Sequence, residues 1–542
     1  MERTKNAPAL GTAPVGKLVF KLAVPAVVAQ IINLLYNLVD RMYVGSIEGI
    51  GTDALAGLGV VFPIVIIVSA FGNLVGLGGA PLSSIFLGEK KREEAERTFN
   101  TGALLLVLFG VALTIVVLSA GDPLIRLFGS PDSSFSYASE YLFIYGFGSL
   151  FVMLSLGLNP FITAQGFSLT SMATVAIGAG LNIGLDPLFI FVFGMGVRGA
   201  ALATVLSQAV SAAWAVLFFF GKRSQFRFTA NFLHPDFRIA GRMLLLGLSP
   251  FIMTATESAI QIVFNVNLRL YSGGNSDYTA ALTVMLSAIQ IISLPLNGLG
   301  SGVQPLVSYN YGCGNFDRIR KTVKIITLVA LVCSTSVWLV SILFPQIYGY
   351  IFSATDSVMR LIVRYTPFFM MGSIMFFAQM TLQNVFVALG QAKISICLAC
   401  LRKVILLIPL CCLLPLWLGI DGVYYSEGIS DLIAGIITAL TFFLLAPRIL
   451  RKREKQLAAL AAKQAESAIA GEAAEEISAE SFSAENTVAE EATAKSSSME
   501  NSVVEEATAK SSSMENSVVG ETPAENSSAR DADGAQAAPR EE

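Results

Sequence analysis

Four side chains in this sequence could do chemistry in places where chemistry is costly. Asp40 stands in "NLLYNLVDRMYVG", Asn182 and Asp186 in "GLNIGLDPLFIF", and Thr204 in "RGAALATVLSQ". All four are set in apolar surroundings, where an uncompensated carboxylate costs several kcal/mol or more. Asn182 precedes Asp186 by one helical turn, so the amide and the acid face one side of a helix. Pro187 removes a backbone donor directly after Asp186, which frees carbonyl oxygens for water or an ion. Two acids, an amide and a hydroxyl suit a cation or proton site. The carboxyl pair could take up a proton on one side and release it on the other, or hold a sodium ion with oxygen ligands. The same groups could instead simply hydrogen-bond between helices, at about 1 kcal/mol each.

The elements that must position them are membrane helices. The chain is 54% hydrophobic and only 14% charged, against roughly a quarter charged in a soluble domain. Apolar runs of bilayer-spanning length recur from Leu18 to Pro447. The pattern predicts an all-α polytopic protein of about twelve transmembrane helices, near 18–45, 54–87, 99–120, 137–164, 171–193, 199–221, 240–270, 278–311, 322–344, 358–388, 395–417 and 422–446. The first run has a polar leader and no cleavage-site pattern, so it reads as a retained span.

Charge orients the spans. Alternate connections hold "GEKKREEAER", "GKRSQFR", "DRIRK" and "RILRKREK", whereas "SIEGIGTD", "GMGVR", "SGGNSD" and "LGID" have almost no Lys or Arg. The basic set is expected in the cytoplasm, with both termini, in a cell (plasma) membrane. On that topology Asp40, Asp186 and Thr204 lie five to seven residues from the outer ends of the first, fifth and sixth helices. They share one depth. Arg41, beside Asp40, is expected to snorkel or pair structurally.

An internal duplication organises the chain. "FGNLVGLGGAPLSSIFLG" aligns with "PLNGLGSGVQPLVSYNYG", with Asn73, Gly76, Gly78, Pro81, Ser84 and Gly88 answering Asn297, Gly300, Gly302, Pro305, Ser308 and Gly312. The offset is 224 (305 − 81) and also pairs Tyr141 with Tyr365 and Gly166 with Gly390. Such a constant offset predicts two related halves. Each half has an even number of spans, so they are parallel repeats forming two pseudo-symmetric six-helix bundles, with a path expected between them. The expected layout is a cytoplasmic N-terminus (1–17), a first lobe (18–221), a linker (222–239), a second lobe (240–450) and a tail (451–542). The tail is rich in Ala, Glu and Ser, repeats "EEATAKSSSMENSVV" in tandem, and is expected to be disordered and cytoplasmic.

The second half has its own acids. Glu257 is near the middle of the seventh helix, and Glu427 and Asp431 stand one turn apart on the twelfth, Glu427 being the approximate counterpart of Thr204 (427 − 204 = 223). With Asn37 they form a second group of polar positions, suited to a substrate-attracting cavity or equally to helix–helix bonding. Cys397 and Cys400 read as packing residues, with no partner cluster for a metal or redox site. His234 lies in a polar connection and reads as a surface residue.

"LLYNLVDRMYVG", "GLNIGLDPLFIF", "RGAALATVLSQ" and "GVQPLVSYNYG" together resemble the multidrug and toxic compound extrusion (MATE) family, in its bacterial DinF-like and MepA-like branch, over about residues 15–450. The resemblance implies export of organic cations or drugs against inward H+ or Na+ by alternating access. It implies that Asp40, Asn182, Asp186 and Thr204 form the cation site of the first lobe. An acid that some branches carry on the tenth helix has no counterpart between Tyr365 and Ala388.

No cofactor is expected beyond the transported ion. The expected partners are small organic cations or drugs and the bilayer, with no nucleic acid, and the chain is expected to act as a monomer. A flippase for a lipid-linked precursor is the alternative, though it would favour a basic cleft and few internal Lys or Arg are evident. A membrane-embedded enzyme is a weaker reading, because no clustered catalytic set is present. No phosphate-binding loop of the ATPase type occurs.

Overall fold

The computed structural model describes residues 10–229, 235–273 and 275–511. His234 and the last part of the tail lie outside the described residues. Among the described residues twelve helices are long and apolar enough to cross a membrane. They are α1 (Val15–Gly45), α2 (Gly51–Gly88), α3 (Arg92–Leu127), α4 (Asp132–Ala164), α5 (Ser168–Val192), α6 (Val197–Phe220), α7 (Phe237–Tyr271), α8 (Ser276–Gly312), α9 (Phe316–Leu343), α10 (Asp356–Ala388), α11 (Ala392–Leu418) and α12 (Ile420–Ser511). Several outrun the apolar stretches that announced them. α3, for instance, begins at the charged "REEAER", where Glu93 and Glu94 sit in its first turn and complement the helix dipole.

The duplication is built into the backbone. Left-handed residues recur in pairs at the repeat offset: Gly49 and Gly273, Lys90 and Gly314, Gly129 and Ser353, Gly166 and Gly390. Gly196 and Gly419 follow at 223 (419 − 196). Ser84 donates to the Ala164 carbonyl at 3.0 Å, and its counterpart Ser308 donates to Ala388 at 2.8 Å. Corresponding turns and corresponding interhelical bonds thus close both lobes.

The lobes meet at the side that carries the Lys/Arg-rich connections. There α2 crosses its own counterpart α8 with nothing but glycine between the backbones. A Cβ on Gly88 would stand 2.1 Å from the Tyr309 carbonyl oxygen, and one on Gly312 would stand 2.1 Å from that of Ile85. Further in, Gly78 of α2 abuts Met243 of α7, and Gly302 of α8 abuts Leu22 and Ala23 of α1. The contact is reciprocal. Leu18, Val19, Leu22 and Ala23 of α1 belong to the apolar core of the second lobe, while Ile239, Met243 and Leu246 of α7 belong to that of the first. Each lobe lends the other the first turns of one helix. Arg453 pairs with Glu89 at the same side, and Arg318 donates to the Ala13 carbonyl at 2.7 Å, anchoring the segment before α1.

From Leu457 onward the chain forms a unit of its own. In its described part α12 continues to Ser511, and the described side chains from Ala458 on are exposed. Ala, Glu, Gln and Lys are strong helix formers, so the local preference is helical although no apolar stripe is present.

The glycine crossing yields a test. Gly88→Ala and Gly312→Ala should each destabilise the detergent-solubilised protein by roughly 1–3 kcal/mol, read as a lowered thermal midpoint. Gly59→Ala, where a Cβ meets nothing within 4 Å, should not lower it.

Candidate functional site

α1, α5 and α6 bring the four polar groups of the first lobe together. Asn182 is the hub. Its Nδ2 donates to Asp186 Oδ1 at 3.2 Å and to Thr204 Oγ1 at 3.3 Å. The spacing made the first bond local, and the packing of α6 on α5 made the second. Asn182, Asp186 and Thr204 are all buried. After Pro187 the helix changes to a π turn over Leu188–Val192. A π turn leaves the backbone bonding locally widened, a feature common at functional sites.

Asp40 reaches this group from α1, and its carboxyl faces that of Asp186. A hydrogen bond between them exists only when one carries a proton. Otherwise Asp40 Oδ1 and Asp186 Oδ2 are buried acceptors with no donor, and Asn182 Oδ1 is a third. Buried acceptors are normally paired. These three unpartnered acceptors, from two helices, are of a kind that suits a positive charge, either a shared proton or a small cation with oxygen ligands.

Two tyrosines complete the surroundings. Tyr36, one turn before Asp40, lies close to both acids, and Tyr141 reaches Thr204. Tyr36 lies in the quoted stretch around Asp40, and its spacing of four residues was the signal that could have found it. A cavity bordering the site is lined by polar residues including Asn33, Asn159, Asn182, Thr204 and Gln208. The Arg41 guanidinium lies over the Phe62 ring, 4.5 Å from the centroid, and its charge acts on the neighbouring Asp40. Asn37 is exposed and donates to the Asn33 carbonyl of its own helix, apart from the second-lobe acids with which it was grouped.

The second-lobe acids form a different assembly. Arg402 pairs with Asp431 at 2.7 Å, and Lys403 pairs with Glu257 at 3.0 Å. Gln379 of α10 donates to the Asp431 carbonyl oxygen. Glu427 is buried, and its Oε2 has no partner. Arg402 and Lys403, both buried, correct the impression of few internal basic residues. They stand in "LACLRKVILL", inside the eleventh span expected from the sequence. In the structure the pair opens a π turn, Leu401–Leu407, inside α11.

The MatE family profile matches residues 25–188 and 250–413, once in each lobe. The chain is 23% identical over 441 residues to the multidrug export protein MepA of Staphylococcus aureus, covering 81% of this chain and 95% of that one. Among solved structures it resembles the MATE multidrug transporter DinF-BH, determined in complex with a ligand, at 29% identity and a TM-score of 0.75, covering 82% of this chain and 99% of the other. The fold is also that of an outward-facing MATE transporter of the MOP superfamily, with a TM-score of 0.75, 23% identity and coverage of 83% and 100%.

Asn182 provides a check on the site's architecture. Asn182→Ala removes two buried hydrogen bonds, one within α5 and one to α6, and should cost roughly 1–2 kcal/mol in a detergent thermal melt. A loss below a few tenths would show that the amide does not hold α5 against α6.

Proposed function

The chain belongs to the MatE family of membrane transporters, and we propose that it exports organic cations or drugs by antiport against an inward proton. The observation that carries the reading is the Asp40–Asp186 pair, two facing carboxyls each with a buried oxygen that lacks a donor. Facing carboxylates in a poorly hydrated place repel, and one proton or cation between them relieves the repulsion. In this reading Asp40 and Asp186 carry the coupling ion, Asn182 orients Asp186, and Thr204 closes the polar face. Sodium is the alternative carrier, with the oxygens of Asp40, Asp186, Asn182 and Thr204 as ligands.

Alternating access follows from the two lobes. The positive-inside rule makes the basic side cytoplasmic, with both termini there. The glycine crossing of α2 and α8 then closes the cytoplasmic side, an outward-facing arrangement. Rocking the lobes about this contact would open the opposite path. Multidrug export by MepA and multidrug transport by DinF-BH support organic cations or drugs as cargo. The protein is proposed to act as a monomer in the cell membrane. The flippase alternative wants a net basic cleft. The two buried cations of the second lobe are each paired with an acid, which leaves no such surface there.

Asp40→Asn and Asp186→Asn should each abolish gradient-driven dye efflux from proteoliposomes while the protein still inserts and folds. Normal efflux in both would sink the assignment. For the carrier, dye affinity in detergent should fall as pH drops across about 8 to 5, because proton and cargo compete. With sodium as carrier, affinity should fall with sodium at fixed pH, and reciprocally. Removing residues 458–542 should leave efflux within about twofold, since this segment adds no membrane-spanning surface. A well-expressed but inactive truncation would assign the tail a role.

A further inference from the structure

The cavity of the first lobe and the charge cluster of the second occupy the same places in the repeat. Asn33, Ser155, Gly178 and Ala179 border the first-lobe cavity. At an offset of 224 (257 − 33) their counterparts are Glu257, Gln379, Arg402 and Lys403. Thr204 and Gln208 also border it, and at 223 (427 − 204) they become Glu427 and Asp431. Conversely, Asp40, Asn182 and Asp186 correspond to Phe264, Leu406 and Leu410. The second lobe therefore lacks the first lobe's acid pair, and it fills the matching cavity with charge.

That charge does not balance unless one acid is neutral. The cluster holds Arg402 and Lys403 against Glu257, Glu427 and Asp431. Two ion pairs use four of the five groups. Glu427 remains, 3% exposed, with Oε2 buried and unpartnered. The charges that act on it come from Asp431 on its own helix, Arg402 and Lys403 on α11 and Glu257 on α7, and the Cys411 thiol of α11 also faces it. An unpaired buried carboxylate is strongly disfavoured, so the arrangement is neutral with a proton on Glu427.

The two pairs differ in access. Arg402 and Asp431 have side chains 5% and 3% exposed. Lys403 is 5% exposed, but its partner Glu257 is 44% exposed, at the repeat position of the cavity-lining Asn33. Glu257 is thus the open end of this pair and the Lys403 ammonium its closed end. The π turn at Leu401–Leu407 is where α11 has local freedom.

We propose that the second lobe carries its own cation–proton exchange site, in which an organic cation replaces the Lys403 ammonium on Glu257 and Lys403 turns to Glu427, expelling its proton. The step balances: one positive charge enters on the cation, one leaves as H+, and the cluster stays neutral throughout. Lys403 is a tethered stand-in for the cargo, and Glu427 is a proton carrier independent of Asp40 and Asp186. The inference rests on the proposed export of organic cations and adds a second site to it.

The test uses the full-length protein in weakly buffered detergent, with tetraphenylphosphonium as the cation and a pH-indicating dye. Wild type should bind the cation and release protons. If it does neither, the export reading itself fails. With Asp40→Asn and Asp186→Asn combined, the first lobe is silent, and binding should still release about one proton per cation by the charge balance. Adding Glu427→Gln, which copies the neutral acid, should abolish that release and weaken binding about tenfold or more, since Lys403 then has no acid to turn to. Glu427→Asp should restore release. Proton release lost entirely with the first-lobe substitutions would leave the export reading standing and overturn the second site. Release that survives Glu427→Gln would overturn it as well, and so would a Glu427→Asp variant that binds cation without releasing protons.

Discussion

Two carboxyl groups held face to face inside a bilayer-spanning bundle cannot both keep their charge without a cation between them. The contact of Asp40 with Asp186 sets that condition for this protein. It needs α1 and α5 to lie side by side at one depth. It needs Asn182 to hold Asp186 by one hand and Thr204 by the other. Pro187 and the π turn after it keep the helix from sealing every backbone carbonyl next to the acid. Each of these would be a defect in a purely structural helix bundle.

The lobe contact answers the same constraint from the other end. In the proposed antiport the site faces one side at a time, which asks the lobes to close tightly at one side without locking there. Glycine against backbone at Gly88 and Gly312 gives close approach with no interdigitated side chains to pull apart. The exchanged first turns of α1 and α7 tie each lobe to the helix that the other depends on. The basic side is thereby packed against α1, which carries Asp40, and α7, which carries Glu257.

Duplication gave both lobes one backbone, and substitution gave them different chemistry. Ser84 and Ser308 make the same bond in each. The acid pair of the first lobe became Phe264 and Leu410 in the second, and the neutral cavity wall became Glu257, Arg402, Lys403, Glu427 and Asp431. A charged cluster of this kind survives burial only because the pairs Arg402–Asp431 and Lys403–Glu257 form within it.

The spans, the repeat and the common depth of three of the four first-lobe groups are legible along the chain. Length, hydropathy and offset are local or periodic properties, and a bilayer leaves the chain little choice beyond helices. The i, i+4 relation of Asn182 and Asp186 was equally legible. Helix packing set that Asn182 also reaches Thr204, that Asp40 meets Asp186, and that Arg41 lies over Phe62. Those outcomes depend on how helices rotate against one another, which no spacing within one helix fixes. The second lobe shows the limit most clearly. Arg402 and Lys403 fall inside an expected span with no partner near them in the chain, and only the neighbouring α7 and α12 make them buried partners of Glu257 and Asp431, because ion pairing across helices is set by packing rather than by order along the chain.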